Sequence, residues 1–371
     1  MNAARGKMEA ARIHPTSAGQ LAALRARELP PPERVAPNVW AIASPIPDGG
    51  VRYTLSYVLL SGDSSFHLLD PGWDSAENLD ALRGNLRTIG VSLDGLSTII
   101  ATHHHPDHLG IAGTLRDITG AKVVLSRAER AVLTHQLGPW RRDLEAYDRV
   151  LDGWGVPAGR RAELRASFGR APLFADIEPD LLLEDGDVLE LDGHCLTALS
   201  TPGHTGGHLC FVDRERRVVY GGDHVLPQIY SGVGLGVLPG AEPLPDFLAS
   251  LQLMRRYEEY EVLPGHEYRF RGLAARVDAI AAHHLRRTRT VAALGAEMGN
   301  APVWDYAQRL RWTPSRDRLE GFYLNSALRQ TEMHLNLARS GLLEVLLARH
   351  EGLAGQTLPQ NIGNPDGSLI G

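Results

Sequence analysis

Residues 102–110 read Thr-His-His-His-Pro-Asp-His-Leu-Gly, and this stretch constrains the chain more than any other. A short β-branched apolar run, Ser97 to Ala101, precedes it and has the character of a buried strand. Leu109 to Ile118 follows with helical spacing and stops at Thr119-Gly120. His103, His105, Asp107 and His108 therefore fall in a tight strand-to-helix loop. Neutral imidazoles and a carboxylate are the ligands that suit zinc and similar divalent ions. His103 and His105 sit two apart and can point the same way, while His104 between them points away. Asp107 and His108 follow on a turn and can face a neighbouring point, so the loop can serve two metals. Histidines that merely cap a helix would account for one or two such groups, not four.

Length and composition leave room for this chemistry without specifying it. The 371 residues suffice for one large domain with attachments or for two domains. A hydrophobic content of 43% with 22% charged residues is ordinary for a soluble globular protein. The net charge of −6 gives no hint of a nucleic-acid or anionic-membrane surface. Cys195 and Cys210 each lie in a strand-like apolar run and are expected as buried thiols, which suits a reducing compartment. The N-terminus lacks the apolar core of a secretory signal. No apolar run approaches the roughly 18–20 residues that span a bilayer. A soluble, cytoplasmic protein is expected.

Along the chain, residues 1–34 form a lead-in segment with a short helix near 20–28. Strands are expected over 39–44, 53–60 and 65–70, separated by turns short enough for an antiparallel meander. Asp74 and Glu77 make a capping-box pair for a helix to about residue 89, and Ser126 with Glu129 makes another after a strand at 122–125. Residues 134–175, with Trp140, Tyr147, Trp154 and Phe168 at helical spacing, read as an inserted helical piece. It is either ordinary helix packing or a lid lining a substrate pocket. Strands resume at 188–191, 194–200, 208–212 and 217–220, then a helix over 246–258 and a strand at 261–264. Helices fill 273–350, with His283, His284 and His334 as surface or core histidines. Residues 351–371 read as a flexible tail.

Four strand ends now carry metal-type ligands: the 103–108 loop, His204, Asp223 and His266. Each lies beside Gly or Pro, which lets backbone turn sharply and approach closely. Thr102-His-His-His-Pro-Asp-His108, Gly203-His204, Gly222-Asp223-His224 and Pro264-Gly265-His266, with Asp70 at its own strand end, resemble the metallo-β-lactamase-fold hydrolase superfamily over roughly residues 35–290. The resemblance implies a four-layer αβ/βα sandwich of two mixed sheets, here a catalytic domain over 35–272 with a helical insertion and a C-terminal helical region. It also implies that His103, His105 and His204 bind one metal, that Asp107, His108 and His266 bind the other, and that Asp223 bridges them beside a shared hydroxide.

The remaining candidates are supporting ones. Asp70 is expected to orient a ligating imidazole, as carboxylates behind metal-bound histidines do. His208 and His224 flank ligands and read as orienting or packing groups. Tyr230, in the loop after Asp223, could donate to a developing oxyanion. By the same resemblance, Asp107 and Asp223 would be the catalytic carboxylates. The bridging aspartate turns the reading away from antibiotic-cleaving lactamases. His105 and the helical tail turn it away from flavin-linked di-iron members. What remains resembles the glyoxalase-II-like and thioesterase or lactonase branch.

The expected activity is thus hydrolysis of an ester, thioester or lactone by two divalent ions, zinc first, with iron or manganese as alternatives. The partner would be a small molecule with an acyl group, and the chain could form a homodimer. Rival readings are a single-iron oxygenase acting on a sulfur substrate, a phosphodiesterase or RNA-cleaving member, and a non-catalytic metal-binding protein. The excess of 44 acidic over 38 basic residues argues against RNA.

Overall fold

The computed structural model describes residues 13–47, 51–62, 64–138, 143–168, 176–312 and 319–354. Of the insertion expected over 134–175, residues 139–142 with Trp140 and residues 169–175 lie outside the described residues, as does the tail beyond residue 354. The strands are β1 (His14–Pro15), β2 (Glu33–Ala36), β3 (Val39–Pro45), β4 (Tyr53–Leu60), β5 (Phe66–Leu69), β6 (Leu96–Ile100) and β7 (Lys122–Ser126). They continue as β8 (Leu181–Leu183), β9 (Val188–Leu191), β10 (His194–Ser200), β11 (Leu209–Asp213), β12 (Val218–Gly222), β13 (Glu261–Pro264) and β14 (Phe270–Arg271). The helices are α1 (Ala18–Ala26), α2 (Ala76–Thr88), α3 (Pro106–Leu109), α4 (Ala112–Thr119), α5 (Arg127–Gln136) and α6 (Leu144–Gly153). After them come α7 (Ala158–Phe168), α8 (Pro243–Met254), α9 (Leu273–Met298), α10 (Val303–Arg309), α11 (Gly321–Arg339) and α12 (Leu343–Ala354).

Strands β2 to β8 lie side by side in chain order, antiparallel as far as β5 and parallel from β5 to β8. The second sheet has the order β1-β14-β13-β12-β11-β10-β9, in which only β12 and β13 run parallel. Parallel neighbours need a crossover. Helix α2 supplies one between β5 and β6, α4 one between β6 and β7, and α8 one between β12 and β13.

The alternation of strand side chains sorts the core into layers. Val39, Ala41, Ala43, Leu55, Tyr57 and Leu59 of the first sheet meet Leu196, Ala198, Leu209, Phe211 and Tyr220 of the second. Ile42, Val58, Phe66 and Leu68 point the other way, onto Leu82, Leu86 and Leu115 of α2 and α4. Cys210, Val212 and Val219 likewise point outward, onto Phe247, Leu251, Val277 and Ile280 of α8 and α9. Helix, sheet, sheet and helix stack in that order, which is the four-layer sandwich expected.

The helical insertion does not stand alone. Tyr147, Leu151, Trp154 and Leu164 of α6, α7 and their connection share a core with Ala327 and Leu328 of α11. The Trp154 indole N–H donates to Glu332 at 2.8 Å, and Tyr147 stacks on Phe168 with ring centroids 4.1 Å apart. Among the described residues no helix is long and apolar enough to cross a membrane.

Several local expectations change. Cys195 is exposed rather than buried: strand alternation turns it to the face opposite His194 and Leu196, while Cys210 is buried as expected. Helix α2 is capped by Ser75, whose hydroxyl accepts from the Asn78 N–H at 3.1 Å, not by Asp74. Within the helical region expected over 273–350, helix α10 starts after Pro302, since proline at that point is already set for the helix entry. The segment expected as a lead-in contributes β1, which pairs with β14, and β2, which pairs with β3. These strands and β8 are two to four residues long, too short to show a period of two.

Phe211 is completely buried between the sheets. Phe211→Ala should therefore lower stability by about 3–5 kcal/mol, measured by denaturant unfolding, and a loss below about 1 kcal/mol would contradict this placement.

Candidate metal centre

The ligand-type residues all leave the sheets at one edge. β6 runs into Ala101 and Thr102, and the chain then turns so that His105 precedes α3 and Pro106 opens it. Proline suits a first helical position, where its missing N–H is not needed. His204 lies between β10 and β11, Asp223 follows β12, and His266 follows β13. The parallel pairing of β12 with β13 puts the last two side by side, and the Gly265 N–H donates to the Gly222 carbonyl at 2.7 Å.

Seven predicted groups come together there. His103 Nε2 is 2.9 Å from His105 Nδ1, which is 3.1 Å from His204 Nε2. Asp107 Oδ2 lies 3.3 Å from His266 Nε2, and Asp223 Oδ1 lies 3.2 Å from His266 Nε2 and 3.4 Å from His108 Nε2. The other oxygen of Asp223, Oδ2, is 3.6 Å from His204 Nε2. Asp223 thus touches both trios, His103–His105–His204 on one side and Asp107–His108–His266 on the other. Within each trio the donor atoms lie within 4.8 Å of one another.

The outward sides of the rings decide what these inward atoms are. His105 Nε2 donates to the Leu235 carbonyl at 2.6 Å, His204 Nδ1 to that of Gly232 at 2.7 Å, and His266 Nδ1 to that of Tyr53 at 2.8 Å. His108 Nδ1 faces Asp70 Oδ2 at 2.9 Å. His103 Nδ1 faces the Thr102 hydroxyl at 3.0 Å, whose own proton goes to Asp70. A ring whose one N–H is spent outward presents a lone pair inward. Three lone pairs about 3 Å apart repel one another unless a cation sits among them. His108 Nε2 and Asp223 Oδ1 are also buried without a hydrogen-bond partner. The donor set and these orphaned atoms fit two divalent cations.

Electrostatics separates the two trios. Burial, reinforced by neighbouring imidazoles, holds His103 and His105 well below the ordinary histidine pKa, and burial likewise lowers His204. These rings are neutral at pH 7 and ready to ligate. Burial would also lower His108 and His266, but there the carboxylates win. Asp70, Asp223 and Asp107 raise His108, and Asp223 and Asp107 push His266 up to about 10. Burial would raise Asp223 and Asp107, yet His266 and His108 hold both carboxyls well below the usual range. Without metal, the second trio is therefore held by protons that a cation would displace.

Supporting residues surround this centre. Asp70 accepts from the Thr102 N–H at 2.8 Å and the Thr102 hydroxyl at 2.9 Å as well as meeting His108, and it does so from a left-handed backbone, φ 54°. His208 accepts the Asp223 N–H at 3.2 Å and meets the Thr201 hydroxyl at 2.8 Å, so it holds the backbone of the shared carboxylate. His224 is buried and packs edge-on against Phe247 at 5.0 Å. Tyr230 is brought against α9, where it stacks on His283 at 4.0 Å with the Arg276 guanidinium 4.9 Å from its ring centre. Arg276 also donates to the carbonyls of Leu226, Gln228 and Ile229. The loop that accepts from His105 and His204 is in this way fastened by the C-terminal helical region.

Two features were not legible from the motifs. Glu129 is fully buried and reaches His104 and Thr205; its capping-box spacing was visible, but its carboxylate leaves the helix end and only its N–H bonds Ser126, at 2.8 Å. A cavity of about 210 Å³ is lined by Leu24, Val51, Tyr53, Ile229 and Glu267, with Arg27, Glu28 and Arg52 completing it, and not by the helical insertion; it holds none of the seven groups, but Tyr53 and Glu267 adjoin His266. A larger one of about 570 Å³, at α2 and Leu93, contains none of the seven groups and plays no part in their chemistry.

The Metallo-beta-lactamase superfamily model matches residues 49–266. Among curated proteins, the human acyl-coenzyme A thioesterase MBLAC2 is 29% identical over 175 residues, 45% of this chain and 54% of that protein. The chain spans about half the length of such relatives. The hydroxyacylglutathione hydrolase of Rhodopseudomonas palustris is 25% identical over 216 residues, 57% of this chain and 65% of that protein. Among solved structures, a metallo-beta-lactamase family protein of Thermus thermophilus superposes with a TM-score of 0.66 at 27% identity, covering 86% of this chain and 95% of that one.

Two outcomes follow from the geometry. A Cβ on Gly265 would lie 2.7 Å from both Asp223 Oδ1 and His108 Cε1, so Gly265→Ala should weaken metal retention by about 10–100-fold, read by equilibrium dialysis. A histidine whose folded pKa is raised stabilises the fold below its unfolded value and loses that contribution as pH climbs through the folded one. The melting temperature of metal-free protein should therefore fall between about pH 6.5 and pH 10, the value to which His266 is raised. A flat profile would contradict the proton-held trio.

Proposed function

The chain belongs to the metallo-beta-lactamase superfamily, and from that membership we propose that it is a dinuclear metal-dependent hydrolase acting on an ester, thioester or lactone, with thioesters foremost. The observation that carries this reading is Asp223, whose two oxygens face different trios of ligand-type groups. His103, His105 and His204 would hold one ion, Asp107, His108 and His266 the other, and Asp223 both. Two intact sets favour this over a single-iron oxygenase. Zinc suits the ligands best, with iron or manganese as alternatives.

Two divalent ions at this place supply Lewis acidity and a water made acidic near neutral pH. The chain's residues do the rest. The Asp107 side chain, 22% exposed against 12% for Asp223, is the more open carboxylate and is placed to orient the attacking water. His208 keeps Asp223 in register through its backbone N–H. The outward N–H bonds of the five imidazoles keep their rings from rotating as substrate enters. The cavity whose Tyr53 and Glu267 adjoin His266, with Leu24, Val51 and Ile229 as its apolar wall, is where we place the acyl group. The names of the human and bacterial relatives, a thioesterase of acyl-coenzyme A and a hydrolase of hydroxyacylglutathione, support an acyl–sulfur substrate.

Purified protein should hold about two metals per chain by elemental analysis. His105→Ala and Asp223→Ala should each cut thioester turnover by more than about 100-fold, the upper cost of losing even a supporting group, while circular dichroism stays unchanged. Full activity after thorough chelation would sink the proposal.

A further inference from the structure

Two buried carboxylates grip the ligand loop in the same way. Asp70 takes the Thr102 N–H, the Thr102 hydroxyl and His108 Nδ1. Glu129, from the first turn of α5, takes the His104 N–H at 3.0 Å, pairs with His104 Nδ1, and accepts the Thr205 hydroxyl at 3.0 Å. Both are almost wholly hidden from solvent, Asp70 at 1% and Glu129 at 0% exposure. Each therefore has its hydrogen bonds made by protein rather than by water.

Their contacts differ. Asp70 reaches His108 of the second trio directly, and through the Thr102 hydroxyl it also stands behind His103 of the first. Glu129 reaches residues 104 and 205, which flank His103, His105 and His204, the whole of the first trio. The first trio is drawn from two loops joined at one side by the Leu209 N–H, which donates to the Thr102 carbonyl at 2.9 Å, and the other side needs a contact of its own to set their separation. Glu129 spans that gap with one carboxylate: Oε1 on the His104 side and Oε2 on Thr205. The surroundings hold it still. Ser126 accepts the Glu129 N–H and donates its hydroxyl to the Gly207 carbonyl at 2.6 Å. Gly207 packs so closely on this helix start that a Cβ there would fall 2.1 Å from the Glu129 nitrogen. His104, which bears no ligand role, thus has a use: its ring and N–H are the handle by which the loop is gripped.

We propose that Glu129 is a positioning residue that selectively builds the first metal site, by fixing the distance between the His103–His105 loop and the His204 loop. The inference rests on the two-metal reading of the centre. Groups behind metal ligands typically change metal affinity by about 10–100-fold when removed. Glu129→Gln keeps the shape, but puts an amide NH₂ opposite either the His104 N–H or the Thr205 hydroxyl. Thr205→Val removes one arm alone.

Both variants, with Asp70→Asn beside them, would be titrated with zinc against a competing chelator and then with cobalt, whose absorption reports ligand geometry. Glu129→Gln should lower the affinity of one of two sites about 10–100-fold and leave the other at its wild-type value. Thr205→Val should do the same more weakly, whereas Asp70→Asn, bonded toward both trios, should weaken both sites. Equal weakening of both sites by Glu129→Gln, or none, overturns the assignment. A second measurement needs no metal: hydrogen exchange of the metal-free protein should speed up in peptides covering 103–105 and 203–207 in Glu129→Gln. Unchanged protection there overturns the brace itself. A wild-type protein that binds no zinc while showing this exchange difference would instead refute the two-metal reading and leave the brace standing.

Discussion

Five imidazoles each give their outward N–H to an oxygen, and the rest of the centre depends on that. The oxygens belong to Leu235, Gly232, Tyr53, Thr102 and Asp70. Spending the proton outward leaves a lone pair facing in, and five lone pairs with two carboxylates make a place that only positive charge can satisfy. Protons serve part of that need in the second trio, where His266 and His108 are raised by Asp223 and Asp107. The first trio has no such carboxylate majority, and burial leaves its rings neutral. Two neighbouring sites, one of three histidines and one of two histidines with Asp107, thus differ in charge because of which side chains face Asp70, Asp107 and Asp223.

The acceptors that orient the rings come from distant parts of the chain, so the fold is what assembles them. Tyr53 opens β4, while the Leu235 and Gly232 carbonyls lie in the connection from β12 to α8. That connection is irregular backbone, and it holds its shape because Arg276 of α9 binds three of its carbonyls while Glu267 accepts the N–H groups of Gln228 and Ile229. Irregular segments buried against a site need their polar groups paired in this manner. The C-terminal helices therefore act on the centre from behind, through the loop, and they also share a core with α6 and α7.

Close approach is the other requirement. At Gly265 a side chain would collide with Asp223 and His108, at Gly222 with the supporting His208 and Thr102, and Gly222 in addition has φ +47°. The β12–β13 pairing, the one parallel pair in its sheet, brings both glycines to the same edge. A parallel pair aligns strand ends that an antiparallel pair would separate, and this places Asp223 next to His266.

Much of this was legible in the amino-acid order. The loop from Thr102 to Gly110, the Gly-flanked His204, Asp223 and His266, and the alternating strands determine which groups are offered and that they sit at strand ends. Periodicity likewise announces most of the strands and the helical insertion, because side-chain direction along a strand or helix is a local property, while the two-sheet sandwich was implied by the family resemblance. What the order of residues does not contain is the partner of each side chain. Glu129 has the spacing of a helix cap, yet its carboxylate crosses to His104 and Thr205; Cys195 sits in an apolar run, yet faces solvent. Tertiary packing decided these cases, since a buried carboxylate goes wherever donors hidden from water await it, and only the folded chain says where that is.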